Sequence, residues 1–168
     1  MRLMGNMHYM LSVDPGGTTG YCKASFDGTT LTLRPGQERF TGGALFNFIL
    51  EEIQAARKVQ DSKFYLIYEK FHYRNKARPG LDLTAPKLIG VMDLLVEEEG
   101  LLAFPQMPAE AMGYWTNDQL KRFQIYVPGM EHGRDAMRHL LQWWQFKFGF
   151  GIHKITPFTN YKVIKDGE

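Results

Sequence analysis

Two short apolar runs, each ending in a single acid, constrain this chain more than any other feature. His8–Val13 is apolar and stops at Asp14-Pro15-Gly16-Gly17. A run of that kind closed by turn residues predicts a buried strand followed by a tight turn. Phe64–Tyr68 is a second such run and stops at Glu69. Between them, Leu45, Phe48, Ile49, Ile53 and Ala56 recur at helical spacing, which predicts a helix over roughly Ala44–Lys58 with Thr41 placed to cap it. Strand, helix, strand is a crossover unit, so the two runs are expected to lie parallel in one sheet. Asp14 and Glu69 then emerge at the same carboxyl edge, where open α/β sheets bind their ligands.

The rest of the chain completes an α/β pattern. Tyr21–Phe26 and Leu31–Leu33 read as strands joined by the turn signal Asp27-Gly28, giving an antiparallel meander with the first strand. Residues 70–83 read as a loop. A helix is expected over Pro86–Glu98, where Leu88, Ile89, Met92, Leu95 and Val96 face broadly one way. Burial within the chain is its default role, and a dimer contact is the other. A strand over Leu101–Phe104 follows, then a short helix over Thr116–Phe123 capped by Thr116. A strong helix over Gly133–Lys147 carries the stripe Met137, Leu140, Leu141 and Trp144, and Trp143 and Trp144 are assigned to packing. The tail after Gly149 reads equally as an edge strand, a partner-binding arm or a packed terminus. The expected architecture is a single α/β domain over 1–168: a mixed sheet, antiparallel in its first three strands, with flanking helices.

Composition narrows the partners. The chain has 168 residues and a formal net charge of +2. So small an excess does not by itself indicate a nucleic-acid partner, and any basic footprint must be local. Cys22 is the one cysteine, which excludes an intrachain disulfide and suits a reducing compartment. No apolar run is long enough to cross a bilayer, and Met1–Asp14 lacks the basic, apolar and small-residue regions of a secretory signal. A soluble intracellular protein is expected.

Asp135 adds a third acid at the start of the last predicted helix. That helix could bring it over the edge that holds Asp14 and Glu69. Clustered carboxylates repel one another unless a cation neutralises them, and hard oxygen ligands favour Mg²⁺ or Mn²⁺. Two such ions can activate a water and stabilise the leaving oxygen in phosphodiester cleavage. Taken singly, Glu69 and Asp135 have plainer accounts: strands often end in charged residues, and an acid suits a helix N-terminus. His132 lies three residues before Asp135, on the same helical face, and could orient a water, move a proton or ligate a metal. His139, four residues beyond Asp135, is read as facing solvent.

These segments resemble the motifs of RuvC-family Holliday junction resolvases, members of the RNase H-like superfamily. Leu11-Ser12-Val13-Asp14-Pro15-Gly16-Gly17-Thr18-Thr19-Gly20-Tyr21 resembles the first motif, a strand ending in aspartate followed by Pro-Gly and Thr-Gly. Tyr65-Leu66-Ile67-Tyr68-Glu69-Lys70-Phe71 resembles the second, and His132-Gly133-Arg134-Asp135-Ala136 the last. The resemblance is strongest to compact phage-encoded relatives, and it is weak over Pro105–Gly129. It implies an RNase H-like fold. It implies Asp14, Glu69, His132 and Asp135 as the catalytic and metal-binding set, with two Mg²⁺ ions per site and Mn²⁺ able to substitute. It also implies a homodimer that cuts four-way and other branched DNA in a bacterial or phage-infected host cytoplasm. A two-fold dimer suits a junction of similar symmetry. Lys121 could stand for the family's phosphate-contacting lysine, although an exposed helical lysine accounts for it equally well, and Phe71 and Tyr73 are both candidates for the aromatic that wedges a junction.

Lys70-Phe71-His72-Tyr73-Arg74-Asn75-Lys76-Ala77-Arg78 interleaves basic and aromatic residues without an acid and directly follows Glu69. Lys70, Arg74, Lys76 and Arg78 could bind phosphates, and Phe71 or Tyr73 could stack on an unpaired base; the plainer account is a solvated basic loop whose aromatics tuck into the core. Three other readings stay open. Asp14–Gly20 also resembles the phosphate-binding hairpin of actin-type and sugar-kinase-type nucleotide-binding proteins, although the chain is short for two such lobes. A junction-binding module without catalysis is another. Cutting of RNA in hybrid duplexes is the third.

Overall fold

A computed structural model describes residues 6–70, 82–109, 113–146 and 160–165. The chain runs β1 (His8–Asp14), β2 (Thr19–Phe26), β3 (Thr30–Glu38), α1 (Gly42–Arg57), β4 (Lys63–Glu69), α2 (Thr84–Glu99), β5 (Leu102–Gln106), α3 (Asn117–Arg122), α4 (Glu131–Phe146) and β6 (Asn160–Val163). The strands form one sheet in the order β5-β4-β1-β2-β3-β6. β1, β2 and β3 are the antiparallel meander; β4 lies parallel to β1, and β5 parallel to β4. This is the mixed α/β sheet expected from the sequence. Of the predicted loop, residues 71–81 lie outside the described residues. Among the described residues no helix is long and apolar enough to cross a membrane.

Local chemistry explains the joints. Asp27 Oδ1 accepts hydrogen bonds from the Thr29 and Thr30 amides, at 2.9 and 2.8 Å, closing the β2–β3 turn. Thr41 Oγ accepts from the Ala44 amide at 3.2 Å and starts α1. Thr116 forms a reciprocal capping box with Gln119 at the start of α3.

The sheet is covered on both faces. Leu11, Val13, Leu66 and Tyr68 pack against Leu45, Ile49 and Ile53 of α1 and Leu88, Met92 and Leu95 of α2. Met10, Cys22, Ala24, Phe26, Tyr65 and Ile67 face α4 with its Met137, Leu140, Leu141, Trp143 and Trp144. Alternation along a strand sends successive side chains to opposite faces. Met10 lies on the α4 face, so Asp14 does too; Tyr65 and Ile67 lie there, so Glu69 does as well.

Two segments differ from the sequence reading. β3 runs through Glu38, well beyond the expected Leu31–Leu33, although Pro35 and Gly36 are poor strand formers. Pairing with β2 carries the extension. Pro35 is tolerated because, among the described residues, β6 pairs only Thr30–Leu33 and β3 is an edge beyond that point. The open question about the tail is answered in part: Asn160–Val163 is an edge strand parallel to β3.

Candidate active site

Strand pairing sets out a row of residues along one edge of the sheet. Val13 pairs with Tyr68, so Asp14 and Glu69 are the next neighbours across β1 and β4. Glu69 pairs with Gln106, Asp14 with Gly20, and Gly20 with Gln37. The row therefore reads Gln106, Glu69, Asp14, Gly20, Gln37 across β5, β4, β1, β2 and β3.

Helix α4 lies across this row. Its first turn is seated on Gly20, where a Cβ would stand 1.9 Å from the His132 carbonyl oxygen. Gly133 makes the matching approach from the helix side, with a built Cβ 2.9 Å from the Gly36 carbonyl oxygen. The His132 amide, one of the donors left unpaired at a helix start, donates to Gln37 Oε1 at 3.1 Å. Farther along, His139 Nε2 lies 2.9 Å from Glu69 Oε2, and Gln142 Oε1 accepts from Gln106 Nε2 at 2.8 Å. From His132 to Gln142 the helix advances about 15 Å, at about 1.5 Å per residue. From β2 to β5 the sheet spans three strand spacings, about 14 Å. The two lengths match, so successive turns of α4 meet successive strands.

Asp14 sits at the centre. Burial first, and then the negative charges of Glu69 and Asp135, push its carboxyl up to about 6, while His139 and His132 act in the opposite sense. Asp14, Glu69, His132 and Asp135 are thus brought to one edge of the sheet. Asp135 forms an ion pair with Arg138. Arg138 is itself buried, donates from Nε to the Trp115 carbonyl at 2.7 Å and also bonds the Asn117 side chain. With Asp135 turned to Arg138 and Glu69 to His139, no group of three His, Cys, Asp or Glu side chains among the described residues is gathered tightly enough to enclose an ion.

His139 corrects the sequence reading. It is buried rather than solvent-facing, with 2% of its surface exposed, and is bonded to both Glu69 and Gln106. Arg138 was not singled out at all. The signal was present: Asp135, Arg138, His139 and Gln142 recur at i, i+3, i+4 and i+7, a polar stripe beside the apolar one.

The DNA-binding candidates are placed less completely. Phe71, Tyr73, Arg74, Lys76 and Arg78 lie outside the described residues. Lys70 is exposed, and its amide donates to the Gln106 carbonyl at 2.7 Å. Lys121 is exposed on α3, its Nζ 5.1 Å from the centre of the Tyr126 ring. The Arg134 guanidinium lies 4.9 Å from the same ring. Tyr126 and Arg134 line a shallow cleft with Thr18, Gln37 and His132, so this cationic stack borders the edge that carries the acids.

No protein-family model matches the sequence, and no curated protein matches it either. Solved structures do. Thermus thermophilus RuvC aligns over 80% of this chain and 92% of its own, with a TM-score of 0.56 and 14% identity. T. thermophilus RuvC in complex with a Holliday junction substrate aligns over 80% of this chain and 91% of its own, with a TM-score of 0.59 and 13% identity. In fold, this chain is similar to RuvC: it is an α/β protein whose mixed sheet is antiparallel in its first three strands.

Proposed function

We propose that this chain is a metal-dependent endonuclease that cuts four-way and other branched DNA, acting as a homodimer. One observation carries the reading: Asp14, Glu69 and Asp135 share the carboxyl edge of a RuvC-like sheet, where burial first and then the charges of Glu69 and Asp135 push the Asp14 carboxyl up to about 6. Structural acids are normally paired with cations or exposed. Here the central acid faces other acids, an arrangement that a divalent cation relieves.

The donor set fits Mg²⁺ or Mn²⁺, being mostly hard carboxylate oxygen. Asp14, Glu69, Asp135 and His132 are the groups that would hold such ions. Two bound ions would supply an activated water and a counter-charge for the leaving oxygen. The chain's own residues do the rest. Asp14 and Glu69 project from paired strands and hold their carboxylates in register. Arg138 orients Asp135. His132 offers an imidazole, able to hold or move a proton, beside the cleft bordered by Tyr126 and Arg134. Lys121, Arg134 and the basic run Lys70–Arg78 supply cations for the DNA backbone.

The test is cleavage of a synthetic four-way junction, a flap and an RNA–DNA hybrid, each in Mg²⁺ and in Mn²⁺. The parent chain should nick the junction. Asp14→Asn should bind it and lose cutting by more than about 100-fold, beyond the roughly 10–100-fold cost of removing an outer partner of a metal ligand. Equal cutting by Asp14→Asn would overturn the site. Cutting of the hybrid alone would replace the substrate class. Saturable ATP binding with no nicking would favour a nucleotide-binding protein instead.

A further inference from the structure

We infer that His139, Gln106 and Gln142 form a buried relay that positions the Glu69 carboxylate for its ligand. The inference rests on the nuclease reading above and goes beyond it, because none of these residues belongs to the acid set.

The relay is continuous. Glu69 Oε2 meets His139 Nε2 at 2.9 Å, His139 Nδ1 meets Gln106 Oε1 at 2.8 Å, and Gln106 Nε2 donates to Gln142 Oε1 at 2.8 Å. Gln106 and His139 are each 2% exposed and Gln142 is 7% exposed, so water is largely excluded from the chain of bonds. A buried amide or imidazole without partners costs about 1–3 kcal/mol, which makes a fully bonded set the stable arrangement. Glu69, by contrast, keeps about a quarter of its side-chain surface exposed, at 26%. The relay is dry at its far end and open at the carboxylate.

Direction follows from atom types. An amide oxygen and a carboxylate oxygen both only accept, so both contacts are donated by the imidazole, Nδ1–H to Gln106 Oε1 and Nε2–H to Glu69 Oε2, and the relay is complete when the ring carries a hydrogen on each nitrogen. The Gln106 amide nitrogen is thereby turned to Gln142. Backbone geometry holds the frame: Gln106 is the strand partner of Glu69, its carbonyl accepts from the Lys70 amide, and His139 and Gln142 are one turn apart on α4. The imidazole is thus fixed at both nitrogens. It engages Oε2 of Glu69; among the described residues nothing hydrogen-bonds Oε1, which is left to accept another ligand. Carboxylates that ligate metals are commonly oriented by such outer partners, and removing one costs about 10–100-fold in metal affinity or activity.

A purely structural role would lower stability without changing how the site takes up an ion. The experiment therefore uses His139→Ala, His139→Gln and Gln106→Met in the full chain. Thermal unfolding is measured first. Mn²⁺ binding is then measured by calorimetry without DNA, and junction cutting is titrated with Mg²⁺. His139→Ala should weaken Mn²⁺ binding and raise the half-saturating Mg²⁺ by about 10–100-fold, with cutting at saturating Mg²⁺ far less affected. His139→Gln should recover most of both losses, since its amide nitrogen can occupy the place of Nε2. Gln106→Met should shift both in the same direction by less. A folded His139→Ala with the parent's Mn²⁺ affinity and Mg²⁺ dependence overturns the inference alone. Should His139→Ala fail to fold, Gln106→Met decides on the same readouts, and an unchanged affinity overturns it. A parent chain that neither binds Mn²⁺ nor cuts overturns the nuclease reading, and this inference falls with it.

Discussion

The two faces of one sheet are built to different rules. The face under α1 and α2 is almost wholly apolar: Leu11, Val13, Leu66, Leu45, Ile49, Ile53, Leu88, Met92 and Leu95 fill it. Its clearest polar feature is Tyr68, which donates to Asp93 Oδ1 at 2.6 Å. The face under α4 carries Gln106, Arg138, His139 and Gln142 buried among tryptophans, with acids at its rim. Burying polar groups is costly unless every one finds a partner. The chain accepts most of that cost on the α4 side, where Arg138 pairs with Asp135 and His139 with Glu69. Stability and chemistry are therefore separable by face, and mutations should separate them.

The largest stability effect belongs to the apolar face. Ile49 is fully buried between α1 and the sheet. Ile49→Ala should cost about 2–5 kcal/mol, by lost burial and the cavity left behind. Urea unfolding measures this, and cutting per folded molecule should not change. A matching loss of Mn²⁺ affinity in folded Ile49→Ala would break the separation.

The seat of α4 comes next. At Gly20 an added Cβ meets backbone, the His132 carbonyl, which cannot swing away as a side chain would. Gly20→Ala should cost about 3 kcal/mol, the upper end for overpacking, and should cut poorly as well because α4 must shift along the row it spans. A Gly20→Ala chain with the parent's stability and cutting would show that α4 is not held by this contact.

Asp14 supplies an effect of opposite sign. Its carboxyl is raised from 3.8 to about 6 by burial and by Glu69 and Asp135. Between those values the folded chain binds more protons than the unfolded one, so this group's contribution becomes unfavourable as pH rises through the window. The penalty is complete above about pH 6 and absent below about pH 4. Asp14→Asn in EDTA should therefore be more stable than the parent by on the order of 2 kcal/mol at pH 7.5, with the gain vanishing near pH 4. Equal stability at both pH values would mean that neither burial nor the neighbouring acids penalise the Asp14 carboxylate.

Legibility in the sequence follows the same division. The apolar face was readable because its signals are local: β1 and β4 are runs buried on both sides, α1 has a 3.6-residue stripe, and Thr41 and Thr116 are caps. The convergence of Asp14 and Glu69 on one edge followed from the crossover alone. The α4 face was harder. From sequence His139 reads as a surface residue, because polar side chains usually are; only contact with Glu69 and Gln106, which are distant in the chain, shows otherwise. Arg138 is buried for a comparable reason, by Trp115 and Asn117. The end of β3 was missed because pairing with β2 overrides what Pro35 and Gly36 favour locally.

The smallest effects give the sharpest comparison, because the same chemistry can be removed once on each side. Thr41 caps α1 on the apolar face, and Thr116 caps α3 directly before Asn117. Losing either hydroxyl should cost about 1 kcal/mol, roughly 2–4 °C in melting temperature for a chain of this size. Thr41→Ala should change nothing else. Thr116 is flanked by the Trp115 carbonyl and the Asn117 side chain, both of which bond Arg138, and Arg138 in turn holds Asp135. Loosening that cap lets the Arg138 anchor drift, so Thr116→Ala should also raise the Mg²⁺ needed for half-maximal cutting, by about 2- to 5-fold, below the roughly 10-fold minimum for deleting an outer partner outright. Equal Mg²⁺ dependence in the two variants would mean that Arg138 is anchored well enough without the cap, and that the chemical face of the sheet ends at α4.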